Sequence, residues 1–250
     1  MAAATTFWER HVIPFARLFD GHPEKAPTRR VLFAFTERHR QWQRDVEATP
    51  SRPARAKITT DKGWGGRSWA TFRVGRLGPG GGVGAVFEGE TRRSASLLAE
   101  RPPPTEKLGF AAVTLDLCGD EMICDDFEAL TIRARPRDHR TYSVTLRGTA
   151  LLAPDLNYQA FIKTRPSDTF VDLRCSFEHF VGLRGSRILD DNRVLDVPRF
   201  SAISIAVADT ATDGPFRFEL EVIHANNDPA NPSPDNIVKP DGLPTPPRPF

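Results

Sequence analysis

Cysteine is scarce. Cys118, Cys124 and Cys175 are the three in the chain, an odd number, and no two stand in a CxxC spacing. That excludes a disulfide framework and a cysteine-rich zinc site. It points to a reducing compartment or the mitochondrial matrix. Long apolar runs are also missing. None approaches the ~20 residues that a membrane helix needs, so membrane association is expected to be peripheral or through a partner. No secretory apolar segment opens the chain. Met1–Lys25 holds Arg10, Arg17 and few acids, as a mitochondrial targeting helix does, but cleavage of a long presequence is not expected. An excess of one charge is lacking too. The 34 Lys and Arg against 32 Asp and Glu leave a formal charge of +2, which by itself predicts no polyanion partner.

Catalytic signatures are absent in the same way. His11, His22, His39, His139, His179 and His224 are scattered, with no HExxH, and there is no GxSxG elbow. Gly78–Gly84 is glycine-rich, yet no Lys-Ser/Thr follows it and no helix follows to present amide groups. It reads as a hairpin loop rather than a phosphate cradle. Asp116, Asp120, Glu121, Asp125 and Asp126 offer oxygen donors of the kind calcium takes, but without EF-hand spacing. A solvated acidic loop is the expectation. Glu219 and Glu221 share one strand face and read as a solvent-facing polar stripe, not as the spaced carboxylates of a glycosidase. No catalytic residue, cofactor or metal is expected, and the chain reads as a non-enzyme.

What is present is a rhythm of strands. Leu130, Ile132 and Ala134 alternate with Thr131, Arg133 and Arg135. The alternation returns at Tyr142, Val144 and Leu146, and again at Tyr158, Ala160 and Ile162. It continues through Val171, Leu173, Cys175 and Phe177, then Ile203, Ile205 and Val207, then Phe216, Phe218, Leu220 and Val222. Successive side chains of a strand face opposite sides, so a period of two marks half-buried antiparallel strands. The fold class is therefore all-β.

The flanks differ. Thr5–Glu47 reads as helical, with Phe7, Trp8, Val12, Phe15, Leu18 and Phe19 at three-to-four spacing, followed by Val31, Leu32, Phe35, Trp42 and Val46. Arg29–Arg44 is the arginine-rich part of this helical stretch. Its expected role is to pack Leu32, Phe35 and Trp42 on the sandwich with its arginines in water, and no nucleic-acid partner is expected. His224–Phe250 is rich in proline and cannot fold alone, because it has little apolar surface to offset its ordering entropy. The expected organisation is an N-terminal helical extension and linker over residues 1–56, a β-sandwich over 57–223, and a proline-rich tail over 224–250. Large apolar residues outside a sandwich need a partner surface. Phe7, Trp8, Phe15, Phe19, Trp64 and Trp69 are the candidate partner-binding residues.

Several segments resemble one family. Asp61, Gly65, Gly66 and Ser68 (DKGWGGRS) are similar to its Asp-x-x-Met-Gly-Gly-x-Ser segment, with Trp64 in the place of methionine. Val86–Gly89 matches its Phe-x-Gly strand, and Gly109–Val113 its Gly-Phe/Tyr-Ala segment. Asp126–Arg135 and Arg140–Leu146 resemble its Arg-x-Arg, turn, Arg-x-Tyr passage. Tyr158–Ala160, Phe170–Phe180, Arg184–Gly185, Ile203–Ala208 and Gly214–Ile223 follow in the family's order. The departures are Cys175-Ser176 in place of Leu-Pro, and Thr91–Lys107, which follows no family pattern. The family is that of the complex I intermediate-associated protein, the thirty-kilodalton assembly factor of mitochondrial NADH:ubiquinone oxidoreductase.

The resemblance implies a galactose-binding-like jelly roll and no catalysis. It implies protein partners among complex I subunits or assembly factors, on the matrix side of the inner membrane. Two alternatives stand beside this expectation. One is a stably incorporated accessory subunit of a respiratory-chain complex. The other is a carbohydrate-binding module, for which Trp64 and Trp69 are the aromatic candidates.

Overall fold

The computed structural model describes residues 29–35, 56–64, 66–77, 82–92, 109–117, 122–123, 127–149, 156–184, 187–189, 199–208 and 212–227. In chain order the strands are β1 (Arg29–Ala34), β2 (Ala56–Thr60), β3 (Trp69–Arg76), β4 (Val83–Thr91), β5 (Ala111–Asp116), β6 (Met122–Ile123) and β7 (Ala129–Pro136). They continue with β8 (Thr141–Gly148), β9 (Leu156–Lys163), β10 (Val171–Ser176), β11 (Val181–Arg184), β12 (Arg187–Ile188), β13 (Arg199–Val207) and β14 (Gly214–Asn226). Short 3-10 turns occupy Asp61–Trp64 and Phe177–His179. Among the described residues no helix is long and apolar enough to cross a membrane.

The strands form two antiparallel sheets. Sheet A runs β10-β7-β14-β4-β3, with β1 also on β14. Sheet B runs β12-β11-β9-β8-β13-β5-β2, with β6 also on β13. The alternation read from the sequence decides which residues lie between the sheets. Leu130, Ile132, Ala134, Tyr142, Val144, Leu146, Ile203, Ile205 and Leu220 are all fully buried. Rings cross the core: Tyr142 stacks on Phe218 at 4.6 Å between centroids, and Phe87 on Phe216 at 4.9 Å. Each such side chain contributes ~1.5–3 kcal/mol through removal from water.

Two expectations are corrected here. Arg29–Ala34, read as helical, is strand β1. The reason is the length of β14. On one side β4 pairs only with Gly214–Leu220, and the rest of that edge takes β1, with Phe33 opposite Ile223. Phe33 and Phe35 are buried, and Phe35 meets Phe72 edge-on at 5.9 Å. Three-to-four spacing and alternation coexist in RRVLFAF, and the open sheet edge decides between them. Of the tail expected over 224–250, residues 224–226 belong to β14; residues 228–250 and the remainder of Thr5–Glu47 lie outside the described residues.

Val222, read as the last inward residue of its strand, is the second correction. The register shifts between Leu220 and Val222, where Glu221 is the extra residue of a bulge. Beyond it Ile223 and Ala225 take the core positions.

Candidate interaction surfaces

At the corner where β2 leads into β3, Asp61 is buried at 5% exposure. Its two carboxylate oxygens accept the Ser68 backbone N–H at 3.0 Å and the Ser68 hydroxyl at 2.9 Å. The Ser68 hydroxyl oxygen in turn accepts the Arg92 N–H at 3.0 Å. The Gly66 N–H donates to the Asp61 carbonyl at 2.9 Å, and a Cβ at Gly66 would sit 2.0 Å from the Asp61 carboxyl carbon. Only glycine fits. At Gly89, on β4, a Cβ would lie 2.1 Å from the Trp69 carbonyl and 2.9 Å from the Phe216 ring, so glycine lets β3 and the core ring close in.

The turn from β7 to β8 is a second polar knot. Arg140 is 5% exposed and donates to the Thr212 carbonyl at 2.8 Å, the Thr91 hydroxyl at 3.1 Å and the Pro215 carbonyl at 3.2 Å. One guanidinium therefore ties together the end of β4, the start of β14 and the loop before it. Tyr142 donates its hydroxyl to Asp138 at 2.7 Å, and the Arg217 N–H donates to the same carboxylate at 2.8 Å. Burial and the Asp138 charge push the Tyr142 hydroxyl well above its ordinary pKa, so it stays a donor.

The outward face of sheet A carries an ion network. Glu88 accepts from Arg73 and Arg217, each at 2.9 Å. Glu219 accepts from Arg135 at 2.5 Å and Arg217 at 2.8 Å, with Arg137 at 3.7 Å. Next to them Arg133 joins Glu221 at 2.6 Å and Asp172 at 3.3 Å. Glu219 was expected to face solvent. Its side chain is instead 2% exposed, because the Arg135, Arg137 and Arg217 side chains close over it. Burial raises its pKa, but hydrogen bonds and charge from Arg135 and Arg217 outweigh that and hold it below the usual carboxylate range. Asp61 and Glu219 belong to separate networks, and Asp126 lies outside the described residues.

On the outward face of sheet B lies a groove of about 350 Å³. Ala112, Ala202 and Ala206 form its floor, and Thr114, Ser143, Thr145, Ser204, Asn157, Gln159 and Arg147 line it. The register places Thr114, Ser204, Thr145 and Gln159 in one row across four strands. Thr114 donates to Ser204 at 3.1 Å and Gln159 to Thr145 at 3.3 Å. Small residues at the centre make this face concave. No motif marks the groove, because its members are distant in the chain and meet only through strand pairing.

Of the residues singled out from the sequence, Trp69 is 45% exposed at the start of edge strand β3, where its indole N–H donates to Glu90 at 3.3 Å. It points out from sheet A, on the sheet opposite the groove, so it provides no aromatic platform there. The Trp64 backbone closes the 3-10 turn at the same corner, and its side chain lies outside the described residues. Phe7, Trp8, Phe15 and Phe19 also lie outside them, as do residues 78–81 and most of the acidic 116–126 stretch. Among the described residues no group of three or more His, Cys, Asp or Glu is arranged to hold a metal ion.

The architecture is that of an antiparallel two-sheet β-sandwich. The motifs that mark it are buried supports of the fold: the Asp61–Ser68 corner, the close approach at Gly89, and the Arg140–Tyr142 turn. The family model for Complex I intermediate-associated protein 30 matches residues 46–221, and the chain belongs to that family. No curated protein matches the chain.

Among solved structures, the chain is similar to a family 11 carbohydrate-binding module from Clostridium thermocellum in complex with a β-1,3-1,4-mixed-linked tetrasaccharide. The identity is 9% and the TM-score 0.47, over 71% of this chain and 91% of that one. The module of the Clostridium thermocellum cellulosomal cellulase Lic26A-Cel5E gives 10% and 0.48, over 71% and 91%. A low-affinity xylan-binding module from Roseburia intestinalis gives 11% and 0.29, over 68% and 93%. Likenesses this distant carry no argument about a ligand.

Proposed function

We propose that this chain is a non-catalytic mitochondrial protein that binds respiratory complex I intermediates and supports their assembly, peripherally on the matrix side of the inner membrane. The family match over residues 46–221 carries this reading. The engagement of the two acids buried among the described residues supports it. Asp61 is closed by Ser68, and Glu219 by Arg135 and Arg217, so neither presents a free carboxylate for proton transfer. The sandwich, of the galactose-binding jelly-roll type in this reading, acts as a rigid platform, and its outward faces and edges meet partner proteins.

The test is affinity purification of the tagged chain in mild detergent, followed by native-gel migration and mass spectrometry. Co-migration with complex I subunits below the mass of the mature enzyme is the expected result. Retention in the mature enzyme at about one copy would make the chain an accessory subunit instead. Migration alone as a monomer would overturn both.

A further inference from the structure

The side of the sandwich where β2 and β3 meet is built differently from the rest. These two strands end their sheets: β2 pairs only with β5 and β3 only with β4 among the described residues. They are adjacent in space and joined by residues 61–68. Half of the backbone N–H and C=O groups of each therefore point away from any strand, along one open seam.

The seam leaves part of the core uncovered. Ile58 lies opposite Val113, which is fully buried, so its side chain faces inward, yet it is 37% exposed. Phe72 and Val74 lie opposite the buried Phe87 and Ala85, and both are themselves only half-buried. Trp69 stands exposed at the end of the same edge.

The exposed charges of β2, β3 and the turn between them have one sign. Residues 56–76 carry Lys57, Lys62, Arg67, Arg73 and Arg76, against one acid, Asp61, which is buried against Ser68. Arg73 is paired with Glu88. Lys57, Lys62, Arg67 and Arg76 are exposed, and no carboxylate among the described residues pairs with them. Such cations keep two copies of the same edge apart, which argues against self-association. They attract a strand of opposite charge.

We propose that the β2–β3 seam is a docking site for an extended acidic segment of a partner protein, added to β3 as a further antiparallel or parallel strand. Main-chain hydrogen bonds to β3 hold the segment. The alternation along β3 sets its composition, because Ala70, Phe72 and Val74 face the core side while Trp69, Thr71 and Arg73 face out. An added strand with the same pleat places apolar residues over Ile58, Phe72 and Val74, and leaves its acids on the outward face with Trp69, Thr71 and Arg73, in the field of the exposed cations of residues 56–76. This names the partner chemistry for the assembly role proposed above. The seam can be tested separately, because a peptide reads it on the isolated chain.

The test uses the full chain and two eight-residue peptides, alternating Glu-Val and alternating Lys-Val, matched in length to the eight residues of β3. The Glu-Val peptide is expected to slow amide hydrogen exchange along β3 and leave the opposite edge, β10, unchanged. The Lys-Val peptide is expected to do neither. Replacing Lys57, Lys62, Arg67 and Arg76 together by Glu should weaken the Glu-Val peptide about tenfold without moving the thermal midpoint, since exposed charges far from the core change stability little. Trp69→Ala, which alters no charge, should also weaken it.

Equal protection by both peptides, protection at β10 instead, or no protection at β3 would overturn the proposal. So would a chain that ignores the peptide but binds phosphatidylcholine–phosphatidylserine vesicles through these four cations, since the edge would then be a lipid-binding surface. If the peptide fails while the native-gel association holds, the seam is wrong and the assembly reading stands. If the association fails while the peptide binds, the reverse applies.

Discussion

Replacing Glu219 by Ala tests the ion network on sheet A. The wild-type side chain is 2% exposed and the Arg135 side chain 16%. Removing the carboxylate deletes charge-assisted hydrogen bonds from Arg135 and Arg217, each of a kind that contributes ~1.5–3 kcal/mol. Arg217 keeps Glu88 at 2.9 Å. Arg135 keeps the Leu77 carbonyl at 3.1 Å and the Phe170 ring at 5.1 Å, but loses the anion that balances it. Breaking one half of a fully buried pair costs ~3–5 kcal/mol, so a partly sheltered one should cost about 3 kcal/mol. For a chain of this size that lowers the thermal midpoint by about 6–12 °C.

The double variant Glu219→Leu with Arg135→Leu removes both charges and should recover most of the loss. Urea denaturation of the wild type, Glu219→Leu, Arg135→Leu and the double variant gives the coupling. A pH series adds a sign. The folded carboxyl titrates below the ~4.3 of an unfolded Glu. Its stabilisation is therefore full above that pH and disappears as pH falls through the folded value. The gap between wild type and Glu219→Ala should narrow in acid. A cost below ~1 kcal/mol, as for an exposed surface pair, would refute the reasoning. So would a gap that is constant with pH.

Three other outcomes follow from the same structure. Gly66→Ala puts a methyl against the Asp61 carboxylate and should cost about 1–3 kcal/mol, read as a lowered thermal midpoint; an unchanged midpoint would mean the corner relaxes freely. Tyr142→Phe should cost about 1–2 kcal/mol in urea denaturation, because the Asp138 oxygen that loses the hydroxyl keeps the Arg217 N–H. Cys175 is buried and its thiol is pushed up to about 12, so at pH 8 site-resolved mass spectrometry should find it unalkylated in the folded chain and rapidly alkylated in urea; fast labelling when folded would show that β10 opens.

The sequence made the motif residues visible without showing what each one does. Asp61, Gly66, Ser68, Gly89, Arg140 and Tyr142 stood out as a pattern. Their side-chain types follow from local demands: a carboxylate to close a corner, a glycine where a neighbouring strand comes close, a guanidinium where two carbonyls and a hydroxyl from three segments converge. The groove on sheet B was not legible. Its floor consists of Ala112, Ala202 and Ala206, residues with no signature of their own.

What the sequence determined alone is the facing of the alternating strands up to Leu220. Alternation is a local property, since each side chain points opposite to the one before, and Leu130 to Leu220 lie inside as their spacing requires. What only the tertiary structure decided depends on which strands are neighbours. Glu219 is buried because arginines from β7 and β14 meet over it. Arg29–Ala34 is a strand because β14 outruns β4 and leaves an edge open. Ile58 is exposed because, among the described residues, sheet B ends at β2. Each of these outcomes is set by pairing between residues far apart in the chain, and a local pattern carries no information about a partner it does not contain.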